Sequence, residues 1–80
     1  MHVISRKKLR EFCRIHGDCD QALDDWYQIA SKAEWGNLIE VQTAFPQAEA
    51  VSNFTVFNIK GNKYRLIVSI NYEKQVIYVK

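Results

Sequence analysis

The chain has 80 residues, 48% hydrophobic and 25% charged, which is the composition of a folded globular domain rather than of a fibre or a disordered segment. No apolar run approaches the ~20 residues that a membrane-spanning helix needs, and Met1 to Ser5, followed by charged residues, does not resemble a signal peptide. We therefore expect one domain over residues 1–80, located in the cytoplasm and not at a membrane.

The net charge of +2 hides an uneven distribution of charge along the chain. Residues 1–15 and residues 51–80 each carry five lysines and arginines against one acidic residue, whereas residues 16–50 carry one lysine against seven acidic residues. This pattern predicts a polarised molecule whose basic surface steers an anionic ligand. Ordinary solvated surface is the alternative that the charges alone leave open.

The chain begins with a predicted helix over residues 6–16. Ser5 is a typical helix-capping residue at its start, and Gly17 is placed to end it. Four side chains recur at helical spacing and form its apolar stripe: Leu9, Phe12, Cys13 and His16.

A second helix and a short helical turn are predicted before the middle of the chain. Asp18 or Asp20 can cap a second helix over residues 20–34. Its apolar face consists of Leu23, Trp26, Tyr27, Ala30 and Ala33. Asn37 can begin a third, short helical turn that carries Leu38, Val41 and Phe45 and that Pro46 stops.

The cysteines do not predict a metal site. Cys13 and Cys19 form no CxxC pair, and His2 and His16 are the only histidines that could join them. We therefore expect two reduced thiols, no metal and no other cofactor.

After Val51 the period of the apolar residues changes from 3.6 to 2, which predicts β-strands. Residues 51–60 and 63–72 flank Gly61-Asn62, and a two-residue connection containing glycine is a strong hairpin signal, here in the order that favours a type II′ turn. The predicted antiparallel register pairs Ile59 with Tyr64, Asn58 with Arg65, Phe57 with Leu66 and Val56 with Ile67.

The two faces of this hairpin differ in chemistry. The apolar face, which we expect to receive the helices, holds Val51, Phe57, Ile59, Tyr64, Leu66, Val68, Ile70 and Tyr72. The polar face holds Phe54, Asn58, Lys60, Lys63, Arg65 and Ser69. A one-residue slip would exchange these faces, so burial specifies the register.

A third strand, QVIYVK, follows Glu73-Lys74. If those two residues form the turn, Ile77 and Val79 extend the apolar face, opposite Ile70 and Val68. Tyr78 and Lys80 then lie on the polar face. A three-residue turn would place the apolar residues on the cationic side, and burial therefore favours the shorter turn.

Cations and aromatic rings share the polar face, a combination that suits single-stranded RNA. Cations attract phosphate in a sequence-independent, salt-sensitive way, and an aromatic ring stacks on an unpaired base. The predicted RNA-binding residues are Lys60, Asn58 and Phe54, with Lys7 and Lys8 from the basic N-terminal segment. The alternative is that these cations keep a sheet face soluble and discourage aggregation.

The same face has candidates for RNA cleavage without a metal ion. This reaction needs a base for the 2′-hydroxyl, a cation for the charged phosphorane and an acid for the leaving 5′-oxygen. Arg65 fits the second role, because a guanidinium is always charged and can hold two phosphate oxygens. Lys63, Tyr78 and Lys80 are candidates for proton transfer, since clustered cations lower the pKa of a lysine or a tyrosine.

Three segments resemble the HigB family of bacterial type II toxins, within the wider RelE-like group. They are MHVISRKKLREF, WYQIASKAEWGNLIEVQTAFPQAE and, most specifically, NFTVFNIKGNKYRLIVSINYEKQVIYVK. The resemblance implies an α+β, RelE-like fold, in which two N-terminal helices pack on one face of an antiparallel β-sheet. It also implies a metal-independent endoribonuclease, an mRNA interferase that cuts messenger RNA on the translating ribosome.

The resemblance implies partners that no pattern in the residues could indicate. These are a cognate helix-turn-helix antitoxin, similar to HigA, that neutralises the toxin, and operator DNA, which is contacted only through that antitoxin. The basic strand residues of the family correspond to Lys63 and Arg65, and His2 on the first strand is a further catalytic candidate, although it could equally be an ordinary surface residue.

Similar proteins continue past the last strand into a segment with further histidine, tyrosine and lysine, which here would lie beyond Lys80. We expect part of the active site in that segment. Two hypotheses therefore stay open: a ribonuclease toxin, and a catalytically idle protein of the same fold that binds RNA or antitoxin.

Overall fold

The computed structural model describes residues 1–4, 6–16, 20–61 and 63–80. Its elements in chain order are β1 (His2–Ile4), α1 (Arg6–His16), α2 (Asp20–Lys32), α3 (Leu38–Ala44), β2 (Glu49–Val51), β3 (Phe54–Ile59), β4 (Tyr64–Asn71) and β5 (Val76–Val79). The predicted α+β class is confirmed. The expectations for Ser5, Gly17, Asp18, Cys19 and Asn62, and for the side chains of Cys13, His16 and Asp20, lie outside the described residues.

The two predicted N-terminal helices are present, and the short helical turn predicted after Asn37 is a third helix of seven residues. α1 has the predicted bounds, and α2 ends at Lys32, two residues earlier than predicted. Asn37 caps α3, because its side-chain oxygen accepts a hydrogen bond of 3.0 Å from the backbone N–H of Glu40. In return the Glu40 carboxylate accepts 2.9 Å from the N–H of Gly36, an arrangement close to a capping box.

The five strands form one sheet in the order β1-β5-β4-β3-β2. The pairs β2–β3, β3–β4 and β4–β5 are antiparallel, but β1 runs parallel to β5. The prediction of an antiparallel sheet is therefore wrong at this edge, and the sheet is mixed. β1 has only three residues, too few to show an alternating pattern. Its parallel partner is far away in the sequence, so no short turn between the two strands indicates the pairing.

The register predicted for the last three strands is confirmed. Asn58 pairs with Arg65 and Phe57 with Leu66 between β3 and β4, and Ile77 pairs with Ile70 between β5 and β4. At the hairpin connection Lys60 and Gly61 have φ values of 54° and 65°. Glycine adopts this left-handed backbone without the penalty that a Cβ imposes.

The segment predicted as one strand over residues 51–60 is two strands. Ser52 has a φ of 56°, and a turn at Ser52-Asn53 folds β2 back on β3, so that Val51 pairs with Phe54. Paired residues lie on the same face, and Val51 is therefore on the face of Phe54, 49% exposed. Its predicted place on the apolar face is wrong, because the alternation was read through a turn that reverses the chain.

The hydrophobic core on one face of the sheet includes all three helices and not only the two that were expected there, because Val41 of α3 is fully buried. The rings of Trp26 on α2 and Phe57 on β3 lie 5.4 Å apart at 66°, and Phe45 packs 5.2 Å from Phe57. The buried cluster joins Leu9, Leu23, Ala30 and Val41 of the helices to Ile59, Leu66, Val68, Ile77 and Val79 of the strands. No helix in the described ranges is long and apolar enough to cross a membrane.

The amino terminus closes the end of α2. The Met1 α-ammonium donates hydrogen bonds to the carbonyl oxygens of Ala30, Ser31 and Ala33, at 3.1, 3.0 and 2.5 Å. Carbonyl groups at the end of a helix lack partners within the helix and carry its partial negative charge, so a cation is favourable there.

Candidate functional site

The side of the sheet away from the helices presents a surface that we call the open face. It consists of His2, Ile4, Glu49, Val51, Phe54, Val56, Asn58, Arg65, Ile67, Ser69, Tyr78 and Lys80. Tyr78 pairs with Ser69, which is four residues from Arg65 on β4. Since side chains alternate along a strand, Arg65 and Tyr78 point to the same side, as predicted.

Arg65 forms an ion pair with Glu49 on this face. The guanidinium Nη2 donates to Glu49 Oε1, and the two side chains are 58% and 53% exposed. Glu49 is not among the site residues predicted from the sequence, because β2 was not predicted and Glu49 belongs to the acidic middle of the chain. Glu49 lies three residues before the left-handed turn at Ser52. No pattern in the sequence indicates that a residue at this position belongs to a site.

Asn58 is the register partner of Arg65 on β3. Its amide nitrogen donates a 3.0 Å hydrogen bond to Gln47 Oε1, in the loop before β2. This bond holds the Asn58 side chain near the end of the hairpin, in the same row of the sheet as Arg65.

Phe54 and Lys80 come together across β4. The Lys80 ammonium lies 5.9 Å from the centroid of the Phe54 ring, and the Lys80 backbone N–H donates to the carbonyl of Ile67 at 3.0 Å. The aromatic rings of this face remain accessible, with Phe54 39% and Tyr78 42% exposed. Cations and accessible rings therefore share one surface.

The positions along β4 show which candidates are neighbours. Lys80 lies in the row of Ile67, two residues or roughly 7 Å from the row of Arg65, and Tyr78 lies roughly 13 Å from it. Arg65 and Asn58 thus share one row, Lys80 lies in the next row, and Phe54 and Tyr78 lie in the row beyond Lys80.

Lys63 and His2 lie at opposite ends of the face. Lys63 comes one residue before β4, and its ammonium is 5.6 Å from the ring centroid of Tyr64, whose ring contacts Phe12 on α1. The row of Tyr78 is roughly 20 Å from Lys63 along β4. His2 pairs with Val76 on the far side of β5, in a row roughly 20 Å from that of Arg65.

The remaining cations lie at the rim. Lys60 is exposed in the turn after β3, and Lys7 and Lys8 are exposed on α1. Lys8 lines a cavity of about 160 Å³ with Arg65 and Lys80, and its walls include Leu9, Phe12 and Val79. One side of α1 therefore reaches the edge of the open face.

Within the part of the chain that the structure describes, no group of three or more His, Cys, Asp and Glu residues comes together in a way that could hold a metal ion. The open face instead carries the guanidinium of Arg65 and the ammonium of Lys80, which attract anions, together with the carboxylate of Glu49, which is the ion-pair partner of Arg65.

A family model for HigB toxins, the RelE-like toxic component of a toxin-antitoxin system, matches residues 19–80. The chain belongs to the HigB toxin family. This confirms the resemblance on which the sequence analysis relied, and membership of a toxin-antitoxin family implies an antitoxin as partner. A relative in Escherichia coli O6:H1, an mRNA interferase HigB, is 28% identical over 83 aligned residues, which cover all of this chain and 81% of the relative.

Proposed function

We propose that this member of the HigB toxin family is an endoribonuclease that binds single-stranded mRNA on the open face and cleaves it. The observation that carries the proposal is the grouping of Arg65 and Lys80, about two residues apart along β4, with the Phe54 ring beside Lys80. In this combination the cations bind a phosphate of a single strand, and the accessible ring stacks on a neighbouring base. The activity in the name of the Escherichia coli relative supports the same reaction.

The chemical step is attack of a ribose 2′-hydroxyl on the adjacent phosphorus. The 2′-oxygen to phosphorus bond forms, the bond to the 5′-oxygen breaks, and the products are a 2′,3′-cyclic phosphate and a 5′-hydroxyl. A base takes the 2′-hydroxyl proton and an acid supplies a proton to the 5′-oxygen. Neither step requires an oxidant or a second substrate.

Arg65 and Lys80 stabilise the negative charge that develops on the non-bridging oxygens of the phosphorane. Arg65 offers a planar fork with a permanent charge, which suits two phosphoryl oxygens, and Lys80 is the nearest open-face cation in the adjacent row. Lys80 and Tyr78 are the groups we propose for proton transfer to the leaving oxygen. The proton donor is the one of these two groups that lies closer to the leaving 5′-oxygen.

The other candidates contact neighbouring nucleotides. Phe54 stacks on a base, and Asn58 and Lys60 follow the strand toward the end of the hairpin. Lys63 lies two residues, or roughly 7 Å, before Arg65 along β4, whereas His2 lies in a row roughly 20 Å beyond Arg65 in the other direction. The two are too far apart to share one phosphate, and we assign them to nucleotides on either side. Lys7 and Lys8 extend the basic surface along α1.

We also propose the partners that the family implies. Messenger RNA is the substrate, presented on the translating ribosome, and a HigA-like helix-turn-helix antitoxin neutralises the toxin. Operator DNA is contacted only through that antitoxin. The basic open face and the basic exposed side of α1 offer suitable surface for both an RNA and an acidic protein segment.

Cleavage of a single-stranded RNA by the purified chain tests the proposal, with Arg65→Ala as the variant. The matched control is Lys74→Ala, which removes one exposed cation from the β4–β5 turn at the other end of β4. We expect fragments ending in a cyclic phosphate with the wild type and the control, and a loss of at least about a hundredfold with Arg65→Ala. Salt-dependent RNA binding without any fragments would instead identify an idle binding protein.

A further inference from the structure

The guanidinium of Arg65, which the proposed reaction needs, is bound by Glu49 in an ion pair. Glu49 lies opposite Val56 on β3, and Arg65 lies opposite Asn58 on the same strand, so the pair crosses β3 diagonally. The turn at Ser52-Asn53 creates this contact, because it folds β2 against β3 and turns Glu49 toward the open face.

A carboxylate and a phosphate compete for a guanidinium. Both present oxygens that accept the parallel N–H groups of the arginine fork, and both are favoured by its charge. An exposed ion pair of this kind contributes little to the stability of a fold. Its main consequence is that Arg65 already has an anionic partner before RNA arrives.

We propose that Glu49 is a positioning residue that stands in for the scissile phosphate, holding the Arg65 guanidinium over the open face until RNA displaces it. This inference rests on the proposed function and adds a regulatory step to the same site. The carboxylate restricts a flexible side chain to the orientation that the reaction needs. It also lowers affinity for any anion, because each must first displace Glu49.

The displacement favours one class of ligand. A free phosphate ion contacts only Arg65. When it binds, Arg65 exchanges one anionic partner, Glu49, for another, and no further contact is gained. A polynucleotide gains further contacts at Lys80, roughly 7 Å from the row of Arg65, and at Phe54, roughly 13 Å from it. Glu49 therefore selects a strand of RNA over small anions.

Removing the carboxylate separates binding from catalysis. In Glu49→Gln the competing charge is lost, and we expect RNA binding about two- to fivefold tighter, the size of effect typical of a half-exposed ion pair. In the RNA complex the phosphate has displaced Glu49 and itself orients Arg65, so we expect KM to decrease by the same factor while kcat stays within about twofold of the wild type. A residue with a merely structural role would not lower KM alone.

The experiment is a double-mutant cycle on binding of a single-stranded RNA, with wild type, Glu49→Gln, Arg65→Ala and the double variant. Glu73→Gln is the control, since it makes the same charge change in the exposed turn after β4. The proposal expects the affinity gain of Glu49→Gln to disappear in the Arg65→Ala background and to exceed that of Glu73→Gln. A gain that persists without Arg65, or that Glu73→Gln reproduces, overturns it, as does no gain at all.

Cleavage by the wild-type chain keeps the two proposals distinguishable. If the wild type binds RNA but produces no fragments, the proposed function fails, whereas the binding cycle still decides the role of Glu49. If fragments appear and the cycle shows no coupling between Glu49 and Arg65, the ribonuclease stands and the positioning role is wrong.

Discussion

Phe54 of β3 and Lys80 at the end of β5 meet across the central strand β4, with the ammonium 5.9 Å from the ring centroid. The contact connects three strands on the side of the sheet that the helices do not cover. It places a ring and a cation, the two groups that the proposed recognition of single-stranded RNA uses, within one nucleotide of each other.

The ring of Phe54 is expected to contribute stacking energy to RNA binding. Phe54→Leu keeps an apolar side chain on a half-exposed position but removes the π-face, and it should weaken binding by about 1–3 kcal/mol. Fluorescence anisotropy with a short single-stranded RNA measures this loss. Phe54→Trp should restore the affinity. Equal affinities of the leucine variant and the wild type would exclude a stacking role.

Lys80 is expected to act on the salt dependence of binding. Neutralising one phosphate contact on a single strand changes the slope of log K against log salt by about 0.7. We therefore expect Lys80→Gln to reduce the slope by about that amount, and Phe54→Leu to leave it unchanged. Lys32→Gln, at the exposed end of α2, is the control. Parallel salt plots for all four proteins would show that Lys80 does not contact phosphate.

The aromatic contact at the centre of the core predicts a large loss of stability. Phe57 is 1% exposed between Trp26 and Phe45, so Phe57→Ala should lower the free energy of unfolding by about 3–5 kcal/mol. Ile39→Ala, on an exposed position of α3, should change it by less than about 0.5 kcal/mol. Urea denaturation compares them, and Phe57→Leu gives a measurable intermediate if the alanine variant does not fold.

The hydrogen bonds of the Met1 α-ammonium predict that adding residues before Met1 lowers the stability of the fold. Two residues added before Met1 replace the ammonium with an amide that has one N–H, and two of the three carbonyls at the end of α2 lose their donor. We expect a loss of about 1–3 kcal/mol in the free energy of unfolding. The same two residues added after Lys80 are the control, and equal stability of both extended chains would contradict the expectation.

The partly buried phenol of Tyr72 is expected to lower the free energy of unfolding at alkaline pH. Burial raises the pKa of its phenol above 10.0, and a hydrogen bond with Thr55 lowers it by a smaller amount. Above pH 10 the unfolded chain therefore loses this proton while the folded chain keeps it, and stability falls as the pH rises through the folded-state pKa. Below pH 10 this contribution is constant.

Urea midpoints at pH 8 and pH 11 test this sign. The decrease between the two should be smaller in Tyr72→Phe than in the wild type, because the variant has no phenol at this position to titrate. Tyr78→Phe, on the exposed side of the sheet, serves as the comparison. An identical decrease in all three proteins would show that Tyr72 does not contribute.

The sequence by itself determined the features that depend on neighbours along the chain. The helices around Leu9, Trp26 and Val41 follow from 3.6-residue periodicity and capping, which are local. The register of β3, β4 and β5 follows from short turns and from the alternation of apolar residues. The common face of Arg65 and Tyr78 was therefore predictable from local patterns alone.

Only the tertiary structure decided the contacts between segments that no short turn connects. The parallel pairing of β1 with β5 and the ion pair of Glu49 with Arg65 both bring together residues far apart in sequence, and such contacts leave no periodic trace. The single turn at Ser52-Asn53 reversed the assignment of Val51 and placed Glu49 on the open face. Alternation indicates a face only within a continuous strand, so the partner of Arg65 depended on where the backbone turned.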